Sequence, residues 1–442
     1  MHEPSTPPAE SAGLRRALGR WDLTAFGVNI VIGGAIFLTP SLIIGHLGTW
    51  APVIAFVTGL AVFCIALCYA EVGSRFDATG GPYLYTLAAF GKFVAFEVGW
   101  MTWFTRVSSQ AALVNGIALA IGFYAPAANA GLTRVVLILG IFLLIGFINW
   151  RGIRESALVI NTLVIAKLAV LGTFIVVGLG FVDWERVVAP SSLNATDLAA
   201  GALLIIYAYG GFETTGIPSG ESHDPRRHLP FALVTIMVGI MLITALAYIV
   251  VLGTTTGIAS SRTPVADAAL GFMGPAGALM IGIGSIVSIT GNVTGSILAG
   301  SRVLFALGEN GAIPRFFAQV HARFRTPGNA IWFSVVVAVA LALTGSFAVL
   351  ALASVVARLL TYIGVSAATL ALRREKFAGQ VPPALFVVPF GRTIPLIAIA
   401  VALLLVASAT GPQLIAGGIA LAAGAILFAL TAWRRTLGNA QG

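Results

Sequence analysis

The sequence predicts an all-α integral membrane protein with twelve transmembrane helices. Three observations carry this: the composition, the run of long apolar segments, and the sidedness of the basic residues. The chain has 442 residues, is 58% hydrophobic and only 9% charged, against about 25% charged in a soluble domain. That is too little charge to coat a water-soluble globule of this size.

A spanning helix needs roughly 20 mainly apolar residues. Twelve segments qualify: 24–44, 50–73, 94–123, 133–150, 156–180, 198–218, 230–252, 275–303, 329–345, 349–371, 394–410 and 413–432. The third and eighth are long enough to tilt. With these spans the loops alternate sides, and 19 of the 25 basic residues fall on the side of the amino terminus. Three (Arg134, Arg186 and Arg262) fall opposite, and three (Arg106, Lys167 and Arg358) fall inside spans. The positive-inside rule then places both termini in the cytoplasm. The net charge of +9 is therefore a topology signal and gives no reason to expect a nucleic-acid partner. Residues 1–20 read as a cytoplasmic tail, 373–393 as a cytoplasmic loop and 433–442 as a second cytoplasmic tail. The two cysteines, Cys64 and Cys68, share one apolar segment and form neither a disulfide framework nor a metal pattern.

Two spans are interrupted. The first reads NIVIGGAIFLTP over 29–40, with Gly33 and Gly34 paired; the sixth reads LLIIYAYGGFETTGIP over 203–218, with Gly210 and Gly211 paired. Paired glycines alone are compatible with close helix packing. Here they recur five spans apart in oppositely directed helices, as expected for two five-helix units related by inverted topology. These units cover about 24–180 and 198–371, in a core of 21–372; the helices within 394–432 are an appendage. An unwound helix at membrane depth is tolerable only beside a cavity or inside protein. Its freed carbonyls attract a cation and its freed N–H groups an anion. A zwitterion such as an α-amino acid presents both charges on one carbon, so two broken helices can hold it without a metal or cofactor.

Four stretches then carry a family resemblance: IGGAIF (32–37), FDATGGPYLY (76–85), YAYGGFE (207–213) and ESHDPRRHLP (221–230). In this order and at these topological positions the chain resembles the amino acid–polyamine–organocation transporters, which have the LeuT-like inverted-repeat fold, from about residue 20 to 432. Ala35, Asp77 and Asp224 depart from the residues common in that family. The resemblance implies that the N–H groups of Gly33, Gly34 and Ala35 hold a substrate carboxylate, and that the carbonyls of Val31, Tyr207 and Gly210 hold its ammonium. Tyr207 and Tyr209 would place rings near the site, one of them as a gate or both as packing.

Charged residues inside the membrane are read as functional. Lys167, about twelve residues into the fifth span, has two readings. A neutral–charged cycle would let it carry a coupling proton, and the resemblance puts it where sodium sits in sodium-coupled cousins. A permanently charged Lys167 would instead tie spans one, five and eight together. Glu213 is expected to link spans or sense the substrate. Arg106 and Arg358, which cannot deprotonate, are expected at a gate or cavity wall or as snorkelling structural residues, with no carboxylate assigned to either. Asn292 would add a polar wall.

The resulting expectation is a secondary transporter of amino acids, working by alternating access with the proton as coupling ion, in a bacterial inner or other plasma membrane. The alternatives are an amino-acid exchanger and a polyamine or organic-amine permease of the same fold. A channel would need a polar pore and rings of charge. An enzyme would need a nucleophile–base set, a nucleotide loop or an H-E-x-x-H site. None of these patterns is present.

Overall fold

The computed structural model describes residues 14–124, 130–189, 191–345 and 347–439. The expected tails up to residue 13 and from 440 onward lie outside the described residues, as do the side chains of Arg434 and Arg435. Sixteen α-helices follow in order: α1 (Arg20–Val31), α2 (Ala35–Leu38), α3 (Pro40–Leu47), α4 (Ala51–Gly73), α5 (Pro82–Phe90), α6 (Lys92–Tyr124), α7 (Gly131–Arg151) and α8 (Ile153–Leu179), then α9 (Trp184–Val188), α10 (Ala195–Tyr209), α11 (Pro225–Thr254), α12 (Pro264–Glu309), α13 (Gly328–Thr344), α14 (Phe347–Leu372), α15 (Thr393–Ala407) and α16 (Gly411–Asn439). Among the described residues there is no β-strand, only two isolated bridges.

Nine helical stretches among the described residues are long and apolar enough to cross a membrane. The three other expected segments fall on α6, which carries Lys92, Glu97 and Arg106, and on the shorter apolar helices α13 and α15. The outer surface is apolar where lipid would lie: Ile165 on α8, Leu404 on α15 and Ile419 on α16 are all about two-thirds exposed or more. An apolar girdle of this kind marks a membrane or protein contact.

Three elements differ from the sequence reading. Residues 82–90, expected in a loop, form α5, because Pro82 at its first turn suits a helix start and Gly81 at φ 51° makes the turn into it. The eighth span extends to α12, which is continuous except at Gly274, where φ is 67°. The end of the leading tail is tied down: the Ala17 and Leu18 N–H groups donate to the Glu221 carbonyl, and His223 N–H donates to Leu18 O.

The loops gather on two faces. On one, Arg226 donates to Ser74 O at 2.8 Å and to Pro383 O at 2.5 Å, Arg75 donates to Pro382 O at 3.2 Å, and Arg373 pairs with Glu71. Nearby, Arg302 meets Glu221 through two hydrogen bonds of 2.8 and 3.3 Å, both side chains fully buried. On the other face, Thr49 donates to Ala189 O, Trp50 donates to Ser191 O, and His46 lies 2.9 Å from Asp197. The sequence segments that meet on each face are those the alternation of spans assigns to one side.

The interior holds one large apolar cluster around α4, α10, α11 and α14, and a second around α6, α8 and α12. α1 runs between them, packed on α8, α11 and α12.

Candidate functional site

Both glycine pairs break their helices. α1 stops at Val31, Ile32 takes φ −77° and ψ 73°, and helix resumes at Ala35. α10 stops at Tyr209, Gly210 is extended, and Gly211 takes φ 130°. A β-carbon on Gly211 would also lie 2.8 Å from the Ile30 side chain. Glycine is required here both by the left-handed backbone and by the approach of the two breaks. The continuation of the sixth span is not an α-helix. It is two short 3₁₀ turns, Phe212–Thr214 and Pro218–Glu221, since Gly216 and Pro218 leave too short a run for a ladder of α-helical bonds.

A cavity of about 50 Å³ lies between the breaks. Val31, Gly33, Gly34, Ala35, Arg106, Tyr207, Gly210, Asn292 and Arg358 all line it, so nine of the twelve expected site residues come together. Ile30, Ala208, and Ser109, Ala112 and Leu113 of α6 complete its wall. Three expected residues stand elsewhere. Tyr209 is fully buried on the far side of α10, where its hydroxyl donates to Ala55 O at 3.1 Å. Glu213 lies behind the arginines, and Lys167 behind the end of α1.

The backbone groups divide between structure and cavity. Gly33 N–H is already used, donating to Val31 O at 2.8 Å, and Gly210 N–H donates to Tyr207 O at 3.2 Å. The N–H groups of Gly34 and Ala35 find no acceptor, and the Gly210 carbonyl no donor, among the described residues. These are the freed peptide groups that a break in a buried helix must leave for water or ligand.

The other carbonyls at the end of α1 are met by side chains. Lys167 Nζ donates to Asn29 Oδ1 and Ile32 O at 2.8 Å, to Asn29 O at 3.1 Å and to Ser288 O at 3.2 Å. Ser288 Oγ is 2.7 Å from Ile32 O and 2.9 Å from Gly33 O; Asn292 Nδ2 donates to Ile30 O at 2.6 Å. Asn29 in turn donates to Gly291 O at 2.6 Å. Lys167 therefore joins α1, α8 and α12, the geometry of the tie. Asn29 and Ser288 were missed in the sequence. The signal was present: Ser288 lies one turn before Asn292, and Asn29 one turn before Gly33, both polar positions in apolar spans.

Glu213 supplies the carboxylate that the sequence did not assign to Arg106 or Arg358. Its Oε1 lies 3.2 Å from Arg106 Nη2 and 3.2 Å from Arg358 Nε, and its Oε2 accepts from Gly211 N–H at 2.7 Å and from the Tyr362 hydroxyl at 3.0 Å. The Arg358 contact is an ion pair off the hydrogen-bond line, and its Nε has no hydrogen-bond partner. The Arg358 guanidinium lies 6.0 Å from the Tyr207 ring centre, within cation–π reach. It also occupies the space above Gly210, where a β-carbon would sit 2.0 Å from Nη1. Gly33 plays the same part for Asn292, whose Nδ2 a β-carbon would approach to 2.5 Å. No group of three or more potential metal ligands occurs among the described residues.

A polytopic helical membrane protein with a small polar cavity at two helix breaks is built as a solute carrier. Residues 18–430 match the amino acid permease family model, and the chain belongs to that family. Its members are transporters, so the chain is a transport protein of the membrane with multiple spans. It is 29% identical to the methylthioribose transporter of Bacillus subtilis over 98% of this chain and 96% of that one. It is 28% identical to the serine/threonine exchanger SteT of the same organism over 88% and 90%. The branched-chain amino acid permease BcaP, also from Bacillus subtilis, is 26% identical over 72% and 73%.

Proposed function

We propose that the chain is a secondary active transporter of amino acids that works by alternating access, with both termini in the cytoplasm of a cell membrane. Twelve spans form two inverted five-helix repeats, about 24–180 and 198–371, followed by two appended helices. The observation that carries this reading is the cavity lined from both sides by the two breaks, with Gly34, Ala35 and Gly210 presenting unpaired peptide groups to it. The N–H groups receive the substrate carboxylate, and the Gly210, Tyr207 and Val31 carbonyls receive its ammonium. Tyr207 stands at the cavity wall as the gate; Tyr209 braces α10 against α4.

In this reading the proton is the coupling ion and Lys167 its carrier: neutralisation would release the end of α1 from α8 and α12. Exchange is the second reading, favoured by the four acceptors around the Lys167 ammonium, which suit a permanent tie. A polyamine substrate is disfavoured by the two arginines in the cavity wall.

Uptake of a labelled amino-acid panel into liposomes holding the purified protein tests this. Saturable uptake of an amino acid, increased by an inward proton gradient, is expected. Uptake that depends only on internal amino acid would replace symport by exchange. No uptake of any amino acid would remove the reading.

A further inference from the structure

The charges around the cavity do not balance. Arg106, Arg358 and Lys167 are 2%, 9% and 0% exposed, and among the described residues the one carboxylate in contact with any of them is Glu213, 3% exposed. The acceptors around Lys167 are three backbone carbonyls and an amide oxygen, all neutral. The remaining buried carboxylates are engaged or remote: Glu71 with Arg373, Glu221 with Arg302, and Glu97 beside Gly424 at the contact of α6 with α16. The site thus keeps an excess of at least one positive charge whatever the protonation state of Lys167. Uncompensated charge away from water is costly unless a ligand or water meets it.

The excess is aimed at the cavity. Glu213 is not part of the cavity lining, whereas Arg106 and Arg358 both are. Its two oxygens already face Arg106, Arg358, Tyr362 and the Gly211 N–H. The Nε atoms of Arg106 and Arg358 lack hydrogen-bond partners, and no acceptor in hydrogen-bond geometry is found for Arg358 among the described residues. Gly210 leaves the space that lets Arg358 lie against the break. A neutral zwitterion would satisfy the peptide groups at the breaks with its own carboxylate and ammonium, leaving the arginine excess unmet. A planar carboxylate on the substrate side chain matches the guanidinium donors.

We propose that the transported amino acid carries an acidic side chain, whose second carboxylate pairs with Arg358 and Arg106 in the cavity between the two helix breaks. The proposal rests on the carrier reading above and names its substrate class. Arg358 is the specificity-determining residue, and Arg106, held by Glu213, supports it.

The test is uptake and competition in liposomes with aspartate, glutamate, asparagine, glutamine, serine, leucine and lysine. An isosteric amide pair isolates the charge: one charge-assisted hydrogen-bonded pair corresponds to roughly tenfold to a hundredfold in affinity. Aspartate or glutamate is expected to win over its amide by about that factor, and lysine to compete least. Arg358→Gln is expected to erase the preference for the acid over its amide in competition, and Arg358→Lys to restore part of it. The wild-type panel requires no variant to fold. Amides or other neutral amino acids taken up as well as the acids would overturn the proposal and leave the carrier reading standing. Failure of every amino acid to enter would overturn both.

Discussion

Replacing Lys167 by methionine keeps an unbranched side chain and removes the ammonium. Four acceptors lose a donor, but not equally. Ile32 O keeps the Ser288 hydroxyl at 2.7 Å, and Ser288 O lies within α12, where the helical ladder still serves it. Asn29 fares differently. Its carbonyl would be met in an unbroken helix by Gly33 N–H, but that group is turned to Val31 O. Its Oδ1 has Lys167 as donor. Two buried acceptors are orphaned, at about 1–3 kcal/mol each. Release from holding an ammonium away from water offsets part of this, leaving a net loss of about 2–4 kcal/mol. The thermal midpoint of the purified protein in detergent, followed by tryptophan fluorescence, is expected to fall by several degrees, and proton-driven accumulation to disappear. An unchanged midpoint would refute the reasoning that Lys167 ties α1 to α8 and α12, and retained pH-driven accumulation would remove it from coupling.

Other substitutions separate the parts of the site. Gly210→Ala places a β-carbon 2.0 Å from Arg358 Nη1, so the guanidinium must leave the break; apparent substrate affinity is expected to fall by about tenfold or more, read by uptake at varied concentration. Tyr209→Phe loses the hydroxyl bond to Ala55 O and is expected to cost about 1 kcal/mol in stability, with the half-saturating substrate concentration unchanged. Arg302→Ala leaves the Glu221 carboxylate buried and unpaired; a loss of about 3–5 kcal/mol is expected, visible as a lower thermal midpoint, and the double change with Glu221→Gln should recover part of it.

Much of this site was legible in the chain because the breaks are local. Gly33–Gly34 and Gly210–Gly211 weaken a helix whatever surrounds them, and their recurrence in opposed spans singled them out. Arg106, Lys167, Glu213 and Arg358 stood out as charges in apolar runs. Their partners did not, because Glu213 lies 107 residues from Arg106 and 145 from Arg358, and no local period brings α6, the 3₁₀ turn after α10 and α14 to one point. Tyr209 and Tyr207 are two residues apart, so on a helix they face different neighbours; only the packing of α10 shows that Tyr207 meets the cavity. The helical ends were less legible for a different reason. FDATGGPYLY over 76–85 reads as part of a cytoplasmic loop, but Pro82 within it starts α5. Likewise the sixth span reads as broken at Gly210–Gly211 and running on to 218, while the turns after the break are 3₁₀.

The most direct test of two broken helices sharing one substrate is an experimental structure determined with a transported amino acid at saturating concentration. The account predicts density for the amino acid between Gly34–Ala35 and Tyr207–Gly210, with its α-carboxylate at the first break. Continuous helices through 29–36 and 205–214, or substrate bound away from both, would contradict it.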